Sequence, residues 1–448
     1  MKTEFKIDKN NQEFLQAIKE LQVNNKHVYL TGKAGAGKTT FLKHIKSISK
    51  KKMVIVAPTG VAAINAGGET INSFFQIPYT PFPPNDIRLQ PDNYIKKDNI
   101  FKTFKYDSSK LQLIKNMELL IIDEISMVGC DTLDVIDSIL RNFRNSNDPF
   151  GGVQLLMIGD AYQLSPIKKE EDWNILKRHY DTPYFFSSKA FESLNYTYAE
   201  LKKIYRQKDS IFINLLNSVR ENKLTEIELN KLNKRYLPCN NLDLTKYILL
   251  ASHNYQVDDV NKRELDKIKA EEFVFIANKE GVCESKNVPA PYELSLKVGA
   301  RVMFVKNDNN NEYYNGKLGK VVELSKEKIM VLCDDGKLVQ VSKSCWENNK
   351  YSFDSDNSIV TQENKGKFKQ YPLKLAWAIT IHKSQGLTFD FVIADLGKAF
   401  AEGQVYVALS RCTSVEGLIL KTPITRRCIK LSQEVVEFAK EREGRMQF

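Results

Sequence analysis

Paired cysteines, long apolar runs and acidic charge are what this sequence is short of. Its seven cysteines are an odd number, scattered from Cys130 to Cys428 without one C-x-x-C pair. That removes a disulfide framework and a zinc site from consideration and fits a reducing compartment. No uninterrupted apolar run approaches the ~20 residues that cross a bilayer, and the opening MKTEFKIDKNNQEF has no apolar secretion core. A soluble, intracellular chain with no membrane partner is expected. No internal repeat is present. Lys plus Arg outnumber Asp plus Glu by 66 to 55, a net charge of +11. The excess suits a nucleic-acid partner or merely a lysine-rich surface, and charge alone does not choose between them.

The 448 residues, 42% of them hydrophobic, can bury more than one core, since single cores seldom pass about 250–300 residues. The most informative stretch is VYLTGKAGAGKTTFL at 28–42, which fits G-x-x-x-x-G-K-S/T. Val28, Tyr29 and Leu30 read as a buried strand. Gly32, Gly35, Ala36 and Gly37 form a loop whose backbone N–H groups can turn toward an anion, and Thr39 and Thr40 open a helix whose N-terminus attracts phosphate. Lys38 would reach the terminal phosphates and Thr39 would hold magnesium. ATP and Mg2+ are thus the expected cofactors.

Residues 12–23 place Phe14, Leu15, Ile18 and Leu21 at helical spacing ahead of that strand. MVIVAP (53–58), LLIID (119–123) and VQLLMIGD (153–160) then alternate with helical sequence, the pattern of a parallel sheet flanked by helices. One NTPase core is expected over 1–195. The alternation lapses at about 67–110 into a proline-rich and aromatic insertion read as a small subdomain. A second α/β core is expected over 196–295 and 366–448, from KYILLAS, LKLAWAITI, FDFVIADL and LILKT. Between them, 296–365 holds short β runs separated by NG and DG turns, a small β-barrel signature followed by a linker, with 347–370 expected as an exposed loop.

IIDE at 121–124 puts two carboxylates at a strand end, where a parallel sheet presents its ligand edge. Asp123 suits a magnesium ion and Glu124 suits orientation and deprotonation of an attacking water. In GDAYQLSPI, Gln163 follows the next strand and suits sensing of a γ-phosphate. Guanidiniums supplied from the second core commonly stabilise phosphoryl-transfer charge, and Arg206 in ELKKIYRQ and Arg411 in VYVALSRCTS are the candidates. The turn in AITIHKSQGLTFDFVI, with His382, Lys383 and Ser384, suits phosphate contacts, as does Thr59 in APTGVAAINAGG.

Taken together, GKAGAGKTT, APTGVAAINAGG, LLIIDEISMV, GDAYQLSPI, IYRQ, IHKSQGLTFD and VYVALSRCTS resemble the ordered motifs of superfamily-one helicases, most closely the petite-integration-frequency (PIF) family of DNA helicases. The resemblance implies two tandem RecA-like P-loop domains, a wedge-bearing insertion in the first and an inserted barrel of the Src-homology type in the second. It implies ATP-dependent 5′-to-3′ movement on single-stranded DNA and unwinding of forked or tailed duplex in replication, recombination, repair or telomere maintenance, with the choice among duplex, G-quadruplex and RNA–DNA hybrid left open. By position it carries over Lys38, Thr39, Asp123, Glu124, Gln163, Arg206 and Arg411 as the ATPase set, and Gln12 or Gln16 as the adenine contact. Gly386 is carried over to the nucleotide and DNA sets alike. Thr59, Gly60, Thr70, Asn72, Phe74, His382, Lys383 and Ser384 carry over as DNA contacts. The chain departs from the pattern at Asn72, where relatives often place histidine, and at Ala161, Tyr162 and Ser165. A monomer in the absence of DNA is expected, cytoplasmic in a bacterial or phage-like setting and nuclear or mitochondrial in a eukaryote. The alternatives are a RecD-like or phage-type helicase, or a P-loop ATPase acting on a partner other than nucleic acid.

Overall fold

The computed structural model describes residues 8, 10–89, 100–238, 244, 246–281, 288–308, 312–354 and 359–443. Positions 90–99 of the expected wedge, and 309–311 and 355–358 of the expected barrel and linker, lie outside them. The chain divides into two compact units, one made of Met1–Tyr205, Asn349–Glu363 and Ser432–Phe448, the other of Arg206–Asn348 and Asn364–Leu431. Among the described residues no helix is long and apolar enough to cross a membrane.

The first unit is built on six parallel strands, β1 (His27–Gly32), β2 (Met53–Ala57), β3 (Glu69–Thr70), β4 (Leu119–Asp123), β5 (Gln154–Ile158) and β6 (Tyr196–Leu201), ordered β3-β2-β4-β5-β1-β6. The central strands are nearly continuous apolar runs because helices cover both faces of such a sheet. Helix α1 (Gln12–Gln22) starts where the Asn11 side chain accepts from Phe14 N. It buries Phe14, Ala17 and Leu21, whereas Leu15, expected on the apolar face, is exposed one step round the helix. Helix α2 (Lys38–Ile48) buries Phe41, Leu42 and Ile45 against β1 and β4 side chains such as Leu30 and Ile121.

Three expectations change here. The first core does not end at 195: β6 pairs with β1 along its whole length, from His27 opposite Tyr196 to Gly32 opposite Leu201. Residues from Ser432 onward, expected in the second core, group with the first. The cause is aromatic packing, with Phe438 stacked 4.4 Å from Phe186 and 6.0 Å from Tyr29 of β1. The lapse at 67–110 also hides sheet structure, since β3 is an edge strand paired with β2, and helix α3 (Gly60–Ala66) and helix α4 (Ile71–Phe75) flank it.

The second unit holds β7 (Ile248–Ala251), β8 (Glu272–Ile276), β9 (Asn278–Gly281), β10 (Glu293–Lys297), β11 (Arg301–Phe304), β12 (Leu318–Leu324), β13 (Ile329–Cys333), β14 (Leu338–Val341), the start of β15 (Ser344–Asp354), the end of β16 (Ile359–Gln370), β17 (Leu373–Leu375), β18 (Ala378–Thr380), β19 (Val392–Asp395) and β20 (Leu418–Leu420), the rest of β15 and β16 falling in the first unit's Asn349–Glu363. Four of them form a parallel sheet, β18-β7-β19-β20, and five an antiparallel one, β14-β13-β12-β11-β17. LKLAWAITI is therefore two strands, not one. Ala376 N donates back to Arg301 O while Trp377 O accepts from Leu249 N, so the chain changes sheets between these residues. The described residues of 347–370 form strands rather than a loop: β15 runs to Asp354 and β16 from Ile359, and Gly366–Lys369 of β16 pairs with Asn278–Gly281 of β9. That pairing comes from a partner some ninety positions away, which polar local composition does not reveal.

Candidate nucleotide and nucleic-acid sites

The phosphate loop leaves β1 through a backbone that only glycine accepts. Gly32 has φ +149°, and a Cβ there would lie 2.7 Å from Leu201 O of β6. Gly37, at φ +96°, caps α2, and Lys38 and Thr39 start that helix. Ala36 is buried, while Thr39 and Thr40 are exposed at the helix N-terminus. Lys38 Nζ donates to Gly32 O at 2.5 Å and Lys33 O at 3.3 Å, which holds the ammonium over the loop.

Asp123 ends β4, one strand removed from β1 across β5. Its desolvated setting and the charge of Glu124 push its carboxyl up to about 7, against the opposing pull of Lys38. Lys38 and Asp123 thus feel one another's charge. Glu124 sits at φ +53°, a left-handed conformation that costs a non-glycine residue about 1 kcal/mol or more and is held by its surroundings. Gly159, just beyond β5, makes room for that turn, because a Cβ there would meet Ile125 Cγ2 at 2.9 Å and Ile125 N at 3.0 Å. Asp160 is fully buried and accepts from Gln163 Nε2 at 3.2 Å and Gln163 N at 2.8 Å, so the glutamine amide is positioned and nearly enclosed.

The two adenine candidates separate. Gln12 is exposed at the start of α1, but Gln16 Nε2 donates to Glu20 Oε1 at 2.7 Å within the helix. The sequence reading missed Tyr205. Its N–H donates to Gly35 O at 2.9 Å, its ring lies 3.7 Å from where a Gly37 Cβ would be, and its hydroxyl accepts from Asn11 Nδ2 at 3.1 Å. An aromatic directly before Arg206 was the available signal.

In the second unit, Arg206 and Arg411 converge on Ser410. Arg206 Nη1 donates to Ser410 O at 3.1 Å, and Gln207, also unforeseen, donates to Ser410 O and Cys412 O at 3.0 and 2.9 Å. Arg411 is not an open guanidinium: it is 2% exposed, with Nε on Val407 O at 2.9 Å, Nη2 on Ser410 Oγ at 2.9 Å and Nη1 near Leu387 O and Ser384 O at 3.4 and 3.5 Å. Its rigid fork of donors matches this ring of carbonyls. Gly386 is exposed at φ +80° with open space where a side chain would stand.

The expected DNA contacts divide likewise. Lys383 is exposed, and burial holds the His382 imidazole below its ordinary pKa and so neutral at pH 7. Ser384 is fully buried and its hydroxyl donates to Ile381 O at 2.7 Å, so it does not face a strand. Phe74 is corrected in the same way: its ring is fully buried, 4.7 Å from Phe75 and capped by Lys110 Nζ at 3.5 Å, because it anchors α4. Thr59 and Thr70 cap α3 and α4, accepting from Ala62 N and Ser73 N at 3.2 Å, and Gly60 opens α3. Asn72 Nδ2 donates to Ile77 O at 2.9 Å.

Among the described residues no cluster of three or more His, Cys, Asp or Glu side chains could hold a metal. The Thr39 and Asp123 oxygens, with a desolvated carboxyl lacking a full counter-charge, nevertheless fit magnesium, which takes one or two protein oxygens and fills its shell with water and substrate phosphate.

The sequence matches the PIF1-like helicase family over residues 6–229 and the UvrD-like helicase C-terminal domain over 375–414. It is 31% identical over 433 residues to the ATP-dependent DNA helicase Pif1 of Bdellovibrio bacteriovorus, covering 95% of this chain and 90% of that protein. Among solved structures it is similar to Bacteroides sp. Pif1 in complex with ADP-AlF4, with a TM-score of 0.88, 38% identity and 97% of both chains covered. Bacteroides Pif1 bound to ssDNA matches at a TM-score of 0.68, again with 38% identity and 97% of both chains.

Proposed function

The chain belongs to the PIF1-like helicase family, and on that premise we propose that it is an ATP-driven motor that moves 5′-to-3′ along single-stranded DNA and separates forked or tailed duplex. The observation that carries this reading is the charge of Lys38 acting on the Asp123 carboxyl beside Glu124, while the second unit separately gathers two arginines on Ser410. An isolated phosphate loop has no use for the second set.

Each residue has a part. Loop N–H groups and Lys38 hold the phosphates, Gln163 senses the γ-phosphate from its seat on Asp160, and Tyr205 offers its ring to the adenine. Glu124 orients and deprotonates the water, with its strained backbone fixing the carboxylate. Magnesium, when held by Thr39 and Asp123, neutralises phosphate charge. Arg206 and Arg411 are assigned to the charge of the transferring phosphoryl group, which for Arg411 means release from its carbonyl ring. The stretch around 67–110 is assigned the strand-separating wedge and the five-stranded antiparallel sheet the Src-homology-type barrel. The protein is proposed to be a monomer in the absence of DNA. Binding through phosphates should be sequence-tolerant and weaken with salt.

Two measurements test the reading. Single-stranded DNA should stimulate ATP turnover, and forks with a lone 5′ tail should be unwound while forks with a lone 3′ tail are not. Turnover indifferent to single-stranded DNA would remove the motor, and unwinding from the 3′ tail would reverse the polarity.

A further inference from the structure

Four aromatic rings line the C-terminal edge of the second unit's parallel sheet, and the reading above uses only one of them. His253 follows β7, Tyr255 lies in the first turn of the helix Asn254–Asp266, His382 follows β18 and Phe400 follows β19. They form a row: Tyr255 to His253 is 5.4 Å between centroids, His253 to Phe400 is 5.1 Å, and Phe400 to His382 is 6.5 Å. Tyr255 and Phe400 are 56% and 51% exposed, which is costly for rings of this size unless something covers them. His253 is held in place as the cap of that helix, its backbone N–H donating to Gln256 Oε1 at 3.2 Å.

Cations flank the rings. Lys398 Nζ contacts Tyr255 Oη at 3.0 Å, Lys430 Nζ donates to Phe400 O at 3.0 Å, and Lys383 is the exposed neighbour of His382. Lys374 on β17 is close enough to feel the charge of Lys383. Asp395, a carboxylate at this edge, is engaged by Lys421 at 2.6 Å. Exposed ring faces among lysines match a polyanion that carries flat apolar groups. Bases in a duplex have no free faces, so the fit is to an unpaired strand.

We propose that Tyr255, His253, Phe400 and His382 form a stacking row for the bases of single-stranded DNA, with Lys398 and Lys383 meeting the adjoining phosphates. The proposal rests on the DNA-motor reading and names where the second unit holds the bases. Stacking is indifferent to base identity, so the row grips any sequence, as a motor requires.

The test is equilibrium binding of fluorescent oligo(dT), and of an abasic strand of equal length, to the full chain at several salt concentrations. Tyr255→Ala and Phe400→Ala should each weaken oligo(dT) binding by roughly five-fold or more with an unchanged salt slope, and should leave abasic binding as in the wild type. Lys398→Ala should instead flatten the salt slope by about one. Phe400→Trp should keep wild-type affinity, and its added indole should be quenched on binding. The row is overturned if wild type binds oligo(dT) and both alanine variants bind within two-fold of it, or if Phe400→Trp is as weak as Phe400→Ala. The DNA-motor reading survives either result. It falls, and the row with it, if wild type binds neither strand.

Discussion

Replacing Asp123 with asparagine should make the protein more stable while silencing ATP turnover. The carboxyl sits at the end of β4 with its charge desolvated and next to Glu124, and its pKa rises from the ordinary 3.8 to about 7. In the folded chain it therefore keeps its proton to higher pH than in the unfolded chain. Folding carries no penalty below about 3.8, loses stability as pH rises from there, and levels off above about 7. Each pH unit of that rise is worth about 1.4 kcal/mol, so a rise of about three units sets a ceiling of about 4 kcal/mol. Water reaches one side of this half-buried group, and about 2 kcal/mol at pH 8 is the expected gain for Asp123→Asn. For a unit of this size that is about 5 °C in Tm. Thermal melting of both proteins between pH 5.5 and 8 measures it. The gain should be smaller at pH 5.5 and flat above pH 7. A variant that melts at or below wild type at pH 8, or a gain independent of pH, would refute the electrostatic account of the site.

Other outcomes follow from the packing. Arg411→Ala removes a buried guanidinium from Val407, Ser384 and Leu387 carbonyls and the Ser410 hydroxyl. It should cost about 4 kcal/mol of stability besides turnover. Arg206→Ala, half-buried with its Ser410 contact, should lower kcat about a thousand-fold with little change in melting; equal melting of the two variants would contradict this division. Gly32→Ala forces a Cβ to 2.7 Å from Leu201 O at φ +149°, and should destabilise by about 2 kcal/mol and raise KM for ATP. An unchanged KM would mean the loop tolerates the shift. Phe438→Ala, from a ring 7% exposed and stacked on Phe186, should cost about 3 kcal/mol in chemical denaturation. A loss under 1 kcal/mol would place the last helix outside the first unit's core.

Much of the site was legible because its chemistry is written in short local patterns. G-x-x-x-x-G-K-T needs adjacent residues to shape one loop, and IIDE needs only a strand end to present two carboxylates. The parallel-sheet strands were legible for a similar reason, as each is an apolar run buried on both faces. What stayed hidden depended on distant partners. Tyr205 reaches the loop through Gly35 O, and although its place beside Arg206 marks it out, only the fold makes that contact. LKLAWAITI reads as one strand because its break is made by Arg301 and Leu249, not by a proline or glycine.

The sequence by itself thus determined the family, the phosphate loop, the carboxylate pair and the identity of the two arginines. These are properties of residue type and short spacing, which survive without knowing the fold. Only the tertiary structure decided that β6 and Phe438 belong to the first unit, that Phe74 and Ser384 are enclosed, and that Arg411 is spent on carbonyls while Tyr255 and Phe400 stand open. Burial and hydrogen-bond partnership are set by residues remote along the chain. The same arginine can be a finger or a strut depending on which carbonyls surround it.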